Sequence, residues 1–295
     1  MPTSFGPPRH ALVTGVGGPS GEAAVTALKA RGFRVTAVDM REVRHAADAF
    51  VRLPPAADSG FIDALREIVA THEVDWLFPT VSDELVKVAD AAEGFRRAGV
   101  AVYIGTPQAV RLCHDKWETA RHLERAGVPV PASALGASDA PAVQALGFPV
   151  ISRPRVGRGG RGVVVHDHAG VSPVSPDVIW QAFMSGTEYD VLLMRHPDPP
   201  HAVLARQVFE KTVLREGRVG NATELEPVTA EDIGSLAESA ARALGITGPM
   251  DMDVRRDASG APRVLEVNAR IGAHTLRAPD IFAALFALFD QGHLG

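Results

Sequence analysis

Residues 248–276 read GPMDMDVRRDASGAPRVLEVNARIGAHTL. Apolar and polar residues alternate over 250–255 and again over 263–268, with the turn cluster Asp257-Ala-Ser-Gly260 between them, which is the pattern of a hairpin. Side chains two apart on a strand point the same way, so Asp251 and Asp253 share a face of the first arm. Glu266, Asn268 and Arg270 share a face of the second. Pairing the arms brings Asp253, Glu266 and Asn268 together. Two carboxylates and an amide oxygen are hard donors, suited to Mg²⁺ held beside a polyphosphate. Arg270 sets a fixed positive charge beside them, and Asp251 reads as a neighbour of the ligand set. His274, in the loop that follows, is a candidate polar contact to an acceptor substrate.

The elements that must carry this hairpin belong to a chain of 295 residues, 46% apolar and 22% charged, which is enough for two globular domains. A net charge of -5 gives no reason to expect nucleic acid or an anionic membrane as partner. The single cysteine, Cys113, rules out an intramolecular disulfide and fits a reducing compartment. The start, MPTSFGPPRH, lacks the order of a signal peptide, and no apolar run approaches the roughly 18 residues of a membrane span. The expected location is cytoplasmic. Only four of 30 basic residues are lysines, Lys29, Lys87, Lys116 and Lys211, so each position carries information.

A strand over 10–15, a turn with glycines at 15, 17 and 21, a helix over 22–31 and a strand over 33–39 make a parallel, right-handed unit. Ser20 stands where G-x-G-x-x-G needs its third glycine, so a nicotinamide site with Asp39 as ribose acid is set aside. A helix over 61–71, a strand over 74–79, a helix through Arg97 with Ser82 as its N-cap, and a strand over 100–104 complete an open α/β domain of about four strands. Ser82, Asp83 and Glu84 lie at the C-terminal end of a parallel strand, where such sheets place ligands, and are candidate substrate contacts.

Residues 109–127 read as one helix carrying His114-Asp115-Lys116. GFPVISRP at 147–154 is a strand entering Gly157-Arg-Gly-Gly-Arg-Gly162, and Gly159, Gly160 and Gly162 there let backbone N–H groups turn towards an anion. A strand over 163–165 follows. The segment VIWQAFMSGTEYDV spans 178–191, with neighbouring strands at 189–194 and 202–209. Arg206 and Lys211 are candidates for contact with a phosphate or a substrate carboxylate. A helix over 229–244 is closed by Gly245, and IFAALFALF at 281–289 reads as a buried terminal helix.

In this order the motifs resemble those of ATP-grasp ligases, of the carbamoyl-phosphate synthetase-like or amino-acid ligase branch, over nearly the whole chain. The resemblance implies an α/β N-terminal preATP-grasp (Rossmann-like) domain over 1–108, followed by an α+β ATP-grasp fold over 109–295. The lid subdomain would span about 130–182 and the C-terminal subdomain about 183–295. It implies ATP and two Mg²⁺ ions, with Mn²⁺ as an alternative, held by Asp253, Glu266 and Asn268. Lys116 and Arg153 would meet phosphates under the glycine loop. Gln181, Ala182, Phe183 and Met184 would form the adenine linker, Glu188 would be the ribose acid, and Arg270 the catalytic residue. Arg153 stands where most members carry Lys. Ala182 stands where many carry Glu, which removes one side-chain contact and leaves the backbone pairing. The implied reaction joins a small-molecule carboxylate to an amine through an acyl phosphate, in a monomer or a homodimer. Three other readings are phosphorylation of bicarbonate or carbamate by the same fold, a Rossmann-type oxidoreductase, and a non-catalytic nucleotide-binding protein. The last would be marked by a lost metal ligand.

Overall fold

The run HALVT forms β1 (His10–Thr14), buried at every position. A strand covered on both faces takes parallel neighbours reached through crossover helices. Helix α1 (Pro19–Ala30) returns the chain to β2 (Arg34–Asp39), β3 (Ala49–Arg52) adds an edge, and α2 (Phe61–Thr71) leads to β4 (Trp76–Phe78) and α3 (Leu85–Arg97). The sheet runs β3-β2-β1-β4, all parallel. The computed structural model describes residues 9–136, 140–157, 159–168 and 175–295; Arg158 of the glycine loop lies outside the described residues.

Three local expectations change here. Residues 100–104 contribute one bridge, Trp76 with Ala101, and no strand. The Val102 N–H is donated to the Leu294 carbonyl and the Ile104 N–H to the Val102 carbonyl, so no ladder can run on. The fourth strand is β3, a short half-buried edge. Ser82 does not cap α3, which starts at Leu85 with Glu84 at its N-cap. Asp39 accepts the Gly17 N–H (3.0 Å) and so braces the glycine turn.

Asp115 divides the helix expected over 109–127 into α4 (Pro107–His114) and α5 (Lys116–Arg125). Its backbone leaves the helical region (φ -104°, ψ 111°), and its carboxylate accepts the N–H groups of Trp117 (2.9 Å) and Glu118 (3.3 Å). That is N-cap geometry, and Asp115-Lys-Trp-Glu118 has the spacing that announces it. Lys116 thereby becomes the first residue of a new helix and is buried.

Next come β5 (Ser133–Leu135), α6 (Ala140–Ala145), β6 (Val150–Pro154), β7 (Val164–His166) and β8 (Val178–Ala182), an antiparallel sheet in the order β5-β8-β6-β7. The chain continues through β9 (Glu188–Arg195), β10 (Val203–Leu214), β11 (Ala222–Pro227), α7 (Glu231–Leu244), β12 (Gly248–Arg256), β13 (Pro262–Asn268) and α8 (Pro279–Asp290). These strands make a second antiparallel sheet, β11-β10-β9-β12-β13. All of β9 is buried, its charged residues included. Helix α8 is the apolar terminal run. Phe289 stacks on Trp76 (ring centroids 4.7 Å apart), and Leu192, Met194 and Phe209 join the same core. The parallel sheet and the five-stranded sheet are thus fastened through one apolar layer. Among the described residues no helix is long and apolar enough to cross a membrane.

Candidate active site

The arms of the hairpin pair antiparallel, with Asp253 opposite Glu266 and Asp251 opposite Asn268, and the ladder is irregular just after Asp253. Asn268 donates from Nδ2 to Asp251 Oδ1 (3.4 Å), which leaves its carbonyl oxygen available to a cation. Oxygens of Asp253, Glu266 and Asn268 are the donor chemistry Mg²⁺ requires, so the residues present fit that ion.

Cations converge on these acids from separate elements. From the start of α5, Lys116 Nζ lies 3.2 Å from Glu266 Oε1, and from β6 Arg153 Nη1 lies 3.4 Å from Oε2. Arg153 also donates to the Leu265 carbonyl (2.5 Å), and its Nε is buried with no hydrogen-bond partner among the described residues. Lys211, from β10, reaches Asp253 Oδ1 (2.6 Å) and Glu188 Oε1 (2.7 Å). Arg270 Nη1 donates to Asp251 Oδ2 (2.9 Å) and to the Ile271 carbonyl. Burial alone would raise the Asp253 carboxyl, but the charge of Lys211, with Arg153 and Arg270, holds it below the usual range. Lys211 is pushed the other way: desolvation is outweighed by Asp253, Glu188 and Asp190, so its ammonium stays charged.

Above this floor lies a cleft of about 750 Å³. The glycine loop walls one side. Gly159, Gly160 and Gly162 have φ of 63°, 70° and 73°, a region that side chains other than glycine seldom adopt. A Cβ on Gly160 would stand 3.3 Å from Gly220, so the loop rests directly on the turn between β10 and β11. Lys116 Nζ donates to the Gly157 carbonyl (2.9 Å), which ties the loop to the floor. Ala182, Phe183, Met184 and Glu188 line the opposite side. Arg218 and Arg255 lie over the Phe183 ring, 4.7 and 4.9 Å from its centroid.

Several expected residues sit elsewhere. Gln181 lies within β8, paired with Ser133 on one side and Ile151 on the other, and its amide donates to the Ser133 hydroxyl (2.9 Å). Ala182, opposite Val150, is the last residue of β8, and the chain leaves the strand at Phe183. The N–H groups of Ala182 and Phe183 go to the Ala132 and Pro149 carbonyls, so a base would meet the peptide groups that follow. Arg206 is an odd number of residues from Lys211 in β10 and faces the other way. It pairs with Glu231 (2.6 Å) and Glu238 (2.9 Å) of α7, away from the cleft. Ser82 lines a smaller cleft of about 300 Å³ with His114, Lys116, Glu266 and Asn268, at the rim of the site.

Glu84 is a brace. It is 3% exposed and accepts from the Thr14 hydroxyl and from the Thr80 and Val81 N–H groups (3.1 Å each). Burial pushes its carboxyl up to about 7 despite those donors. A carboxyl that binds its proton more tightly when folded costs stability as pH rises from its ordinary range near 4.5 to about 7. Over that window the loss is on the order of 3 kcal/mol. Glu84→Gln keeps the acceptor oxygen and should flatten this slope, as urea denaturation at pH about 5 and about 7.5 would record.

Asp190 and Arg255 join the site without having been singled out, and Asp251, read as a neighbour of the ligand set, lies among them. The carboxylates of Asp190, Asp251 and Asp253 lie within 4.8 Å of one another. Burial first, then the Asp251 charge, raises Asp190 to about 6, while His274 and Lys211 hold it down. His274 Nδ1 is 2.7 Å from Asp190 Oδ2. Arg255 donates to Glu188 Oε2 (3.1 Å). The signal was present as alternation. Glu188 and Asp190 are two apart in β9, and Asp251, Asp253 and Arg255 repeat that spacing on its neighbour.

Residues 113–274 match the family described as the ATP-grasp domain, and residues 12–103 match the PylC-like N-terminal domain. The chain is 29% identical to the D-alanine–D-alanine ligase of Gloeobacter violaceus over 230 residues, 68% of this chain and 76% of that protein. Its fold is similar to that of an L-amino acid ligase from Bacillus licheniformis, with a TM-score of 0.70 and 19% identity over 93% of this chain and 70% of that one. It is similar also to an N5-carboxyaminoimidazole synthetase from Staphylococcus aureus complexed with ADP, with a TM-score of 0.73 and 15% identity over 97% of this chain and 78% of that one.

Proposed function

The chain belongs to the ATP-grasp family of ATP-dependent ligases, and from that premise we propose that it joins a carboxylate to an amine through an acyl phosphate, releasing ADP and phosphate. The observation that carries this reading is that Lys116, Arg153 and Lys211 hold Glu266 and Asp253 at a walled cleft, with Arg270 and Asn268 on the adjoining Asp251. The likeness to D-alanine–D-alanine ligase supports it. We read residues 1–108 as the preATP-grasp domain and 109–295 as the ATP-grasp domain, with the lid at about 130–182.

The residues divide the work by charge. Lys116 and Arg153 neutralise phosphate oxygens, and the Arg153 fork suits bidentate contact. Glu188 accepts from the ribose hydroxyls, with Lys211 and Arg255 holding its carboxylate in place. Asp253, Glu266 and Asn268 would hold Mg²⁺, which supplies charge neutralisation at the β- and γ-phosphates. Arg270 stabilises the γ-phosphoryl group as the substrate carboxylate attacks it, and then the tetrahedral intermediate formed by the amine. The glycine loop, seated on the turn before β11, keeps water from the acyl phosphate.

An ADP-release screen of carboxylic and amino acids against amines tests the reading. Release should need a carboxylate and an amine together and should cease when EDTA removes Mg²⁺. Release driven by bicarbonate alone would replace it with phosphorylation of bicarbonate or carbamate, and release with no pair would end it.

A further inference from the structure

We infer that His274, oriented by Asp190, is the base that takes a proton from the acceptor amine; the inference rests on the ligase reading above. His274 Nδ1 lies 2.7 Å from Asp190 Oδ2. Asp190 is sealed, its side chain 3% exposed, while a quarter of the His274 side chain is open. Among the described residues the other carboxylate oxygen of Asp190 is buried without a hydrogen bond, and the imidazole is this acid's hydrogen-bond partner. An imidazole that donates Nδ1–H to a carboxylate carries its lone pair on Nε2. Asp251 and Asp253 on β12, Lys211 on β10 and Arg270 after β13 surround the pair. Gly272 lets the loop pass over them: a Cβ there would lie 2.5 Å from Asp251 Oδ2 and 2.6 Å from Leu192. Arg270 and His274 thus bracket Asp251 from one short segment.

The other groups at this end are committed. Lys211 is held charged between Asp253 and Glu188, Lys116 and Arg153 face Glu266, and Arg270 is a cation. His274 has a lone pair to offer. A substrate ammonium loses one proton to Nε2. The amine lone pair then forms the C–N bond, the bond from carbonyl carbon to phosphate oxygen breaks, and phosphate leaves with the electron pair and the second nitrogen proton. The imidazolium returns its proton to solvent. Asp190 is a positioning residue that also stabilises the imidazolium.

The test uses the full chain with the proteinogenic L-amino acids as carboxylates and amines, and hydroxylamine as a second nucleophile. Hydroxylamine is uncharged near neutral pH and needs no base. Positional isotope exchange in heavy-oxygen-labelled ATP reports acyl phosphate formation without the amine step. His274→Gln should keep exchange and hydroxamate formation and lose amide formation about 100-fold or more. Asp190→Asn should show the same split, with kcat for amide formation falling and KM for ATP and carboxylate unchanged. Wild-type amide rates in His274→Gln, or loss of hydroxamate together with amide in both variants, would overturn the assignment. Absence of exchange in the wild-type chain with every amino acid would instead remove the ligase reading, and the base with it.

Discussion

Arg270→Ala should lower kcat for ADP release by about 10²–10³-fold or more, with the fold intact, because the role proposed for it is on charge that grows only in the transition state. KM for ATP should change little, since Lys116, Arg153 and Glu188 line the cleft and Arg270 does not. The side chain is 15% exposed and held by Asp251 and the Ile271 carbonyl, so its guanidinium is aimed before any substrate arrives. Arg270→Lys makes a useful companion. It keeps the charge and loses the planar fork, and should recover only part of the rate. Steady-state kinetics with the substrate pair that supports ADP release, alongside thermal melts, separates these effects. Near-wild-type turnover in Arg270→Ala would remove the catalytic assignment. A second consequence follows from the Asp251 partner. Without Arg270, three carboxylates within 4.8 Å are left with Lys211 as their nearest cation. The variant should therefore bind a divalent cation at least as well as the wild type while turning over poorly, a divergence that loss of folding would not produce.

The sequence was most informative where chemistry and periodicity coincide. Alternation on both arms sets Asp253 across from Glu266, and that register is found in the structure. Helix α2 and the αL close of α7 at Gly245 (φ 64°) are where apolar spacing and a glycine put them. Legibility fell where one residue decides between two local structures. Asp115 could continue a helix or cap a new one, and only its backbone geometry decides, yet that choice is what buries Lys116 beside Glu266. Parity within a strand was harder still. Nothing local says whether Arg206 or Lys211 of β10 faces the cleft; the packing of α7 against one face decides it. Glu84 was misread for a related reason. The C-terminal end of a parallel strand is a place for ligands, but it is also where β1 and β4 need their loops braced, and burial against Thr14 took the carboxylate for that task. Asp190 was passed over because an acid two residues from Glu188 signals little until the strand's neighbours supply Asp251, Asp253 and His274.

Glu266→Gln should be as damaging as Arg270→Ala, by a different route that Mg²⁺ titration exposes. Glu266 touches both Lys116 and Arg153, at 3.2 and 3.4 Å, while facing Asp253 across the ladder. It therefore ties three units together: helix α5, strand β6 and the hairpin. Gln keeps the size and one acceptor oxygen and removes the charge. Outer-shell partners of a metal typically cost about 10–100-fold in affinity or activity when mutated, and a charged ligand should cost more. The Mg²⁺ concentration for half-maximal rate should rise at least about 100-fold, and saturating Mg²⁺ should not restore kcat. The two buried cations lose their shared counter-charge as well. Removing one partner of a buried pair costs about 3–5 kcal/mol when the other is left uncompensated. Here the Gly157 and Leu265 carbonyls still accept from Lys116 and Arg153, so the loss of stability should be smaller. ATP should partly replace the lost carboxylate, since its phosphates meet the same two cations. Glu266→Gln should thus gain more melting temperature from added ATP without metal than the wild type does, while releasing almost no ADP. An equal ATP-induced shift in both proteins, or a kcat restored by high Mg²⁺, would show that Glu266 does not sit between metal and phosphate.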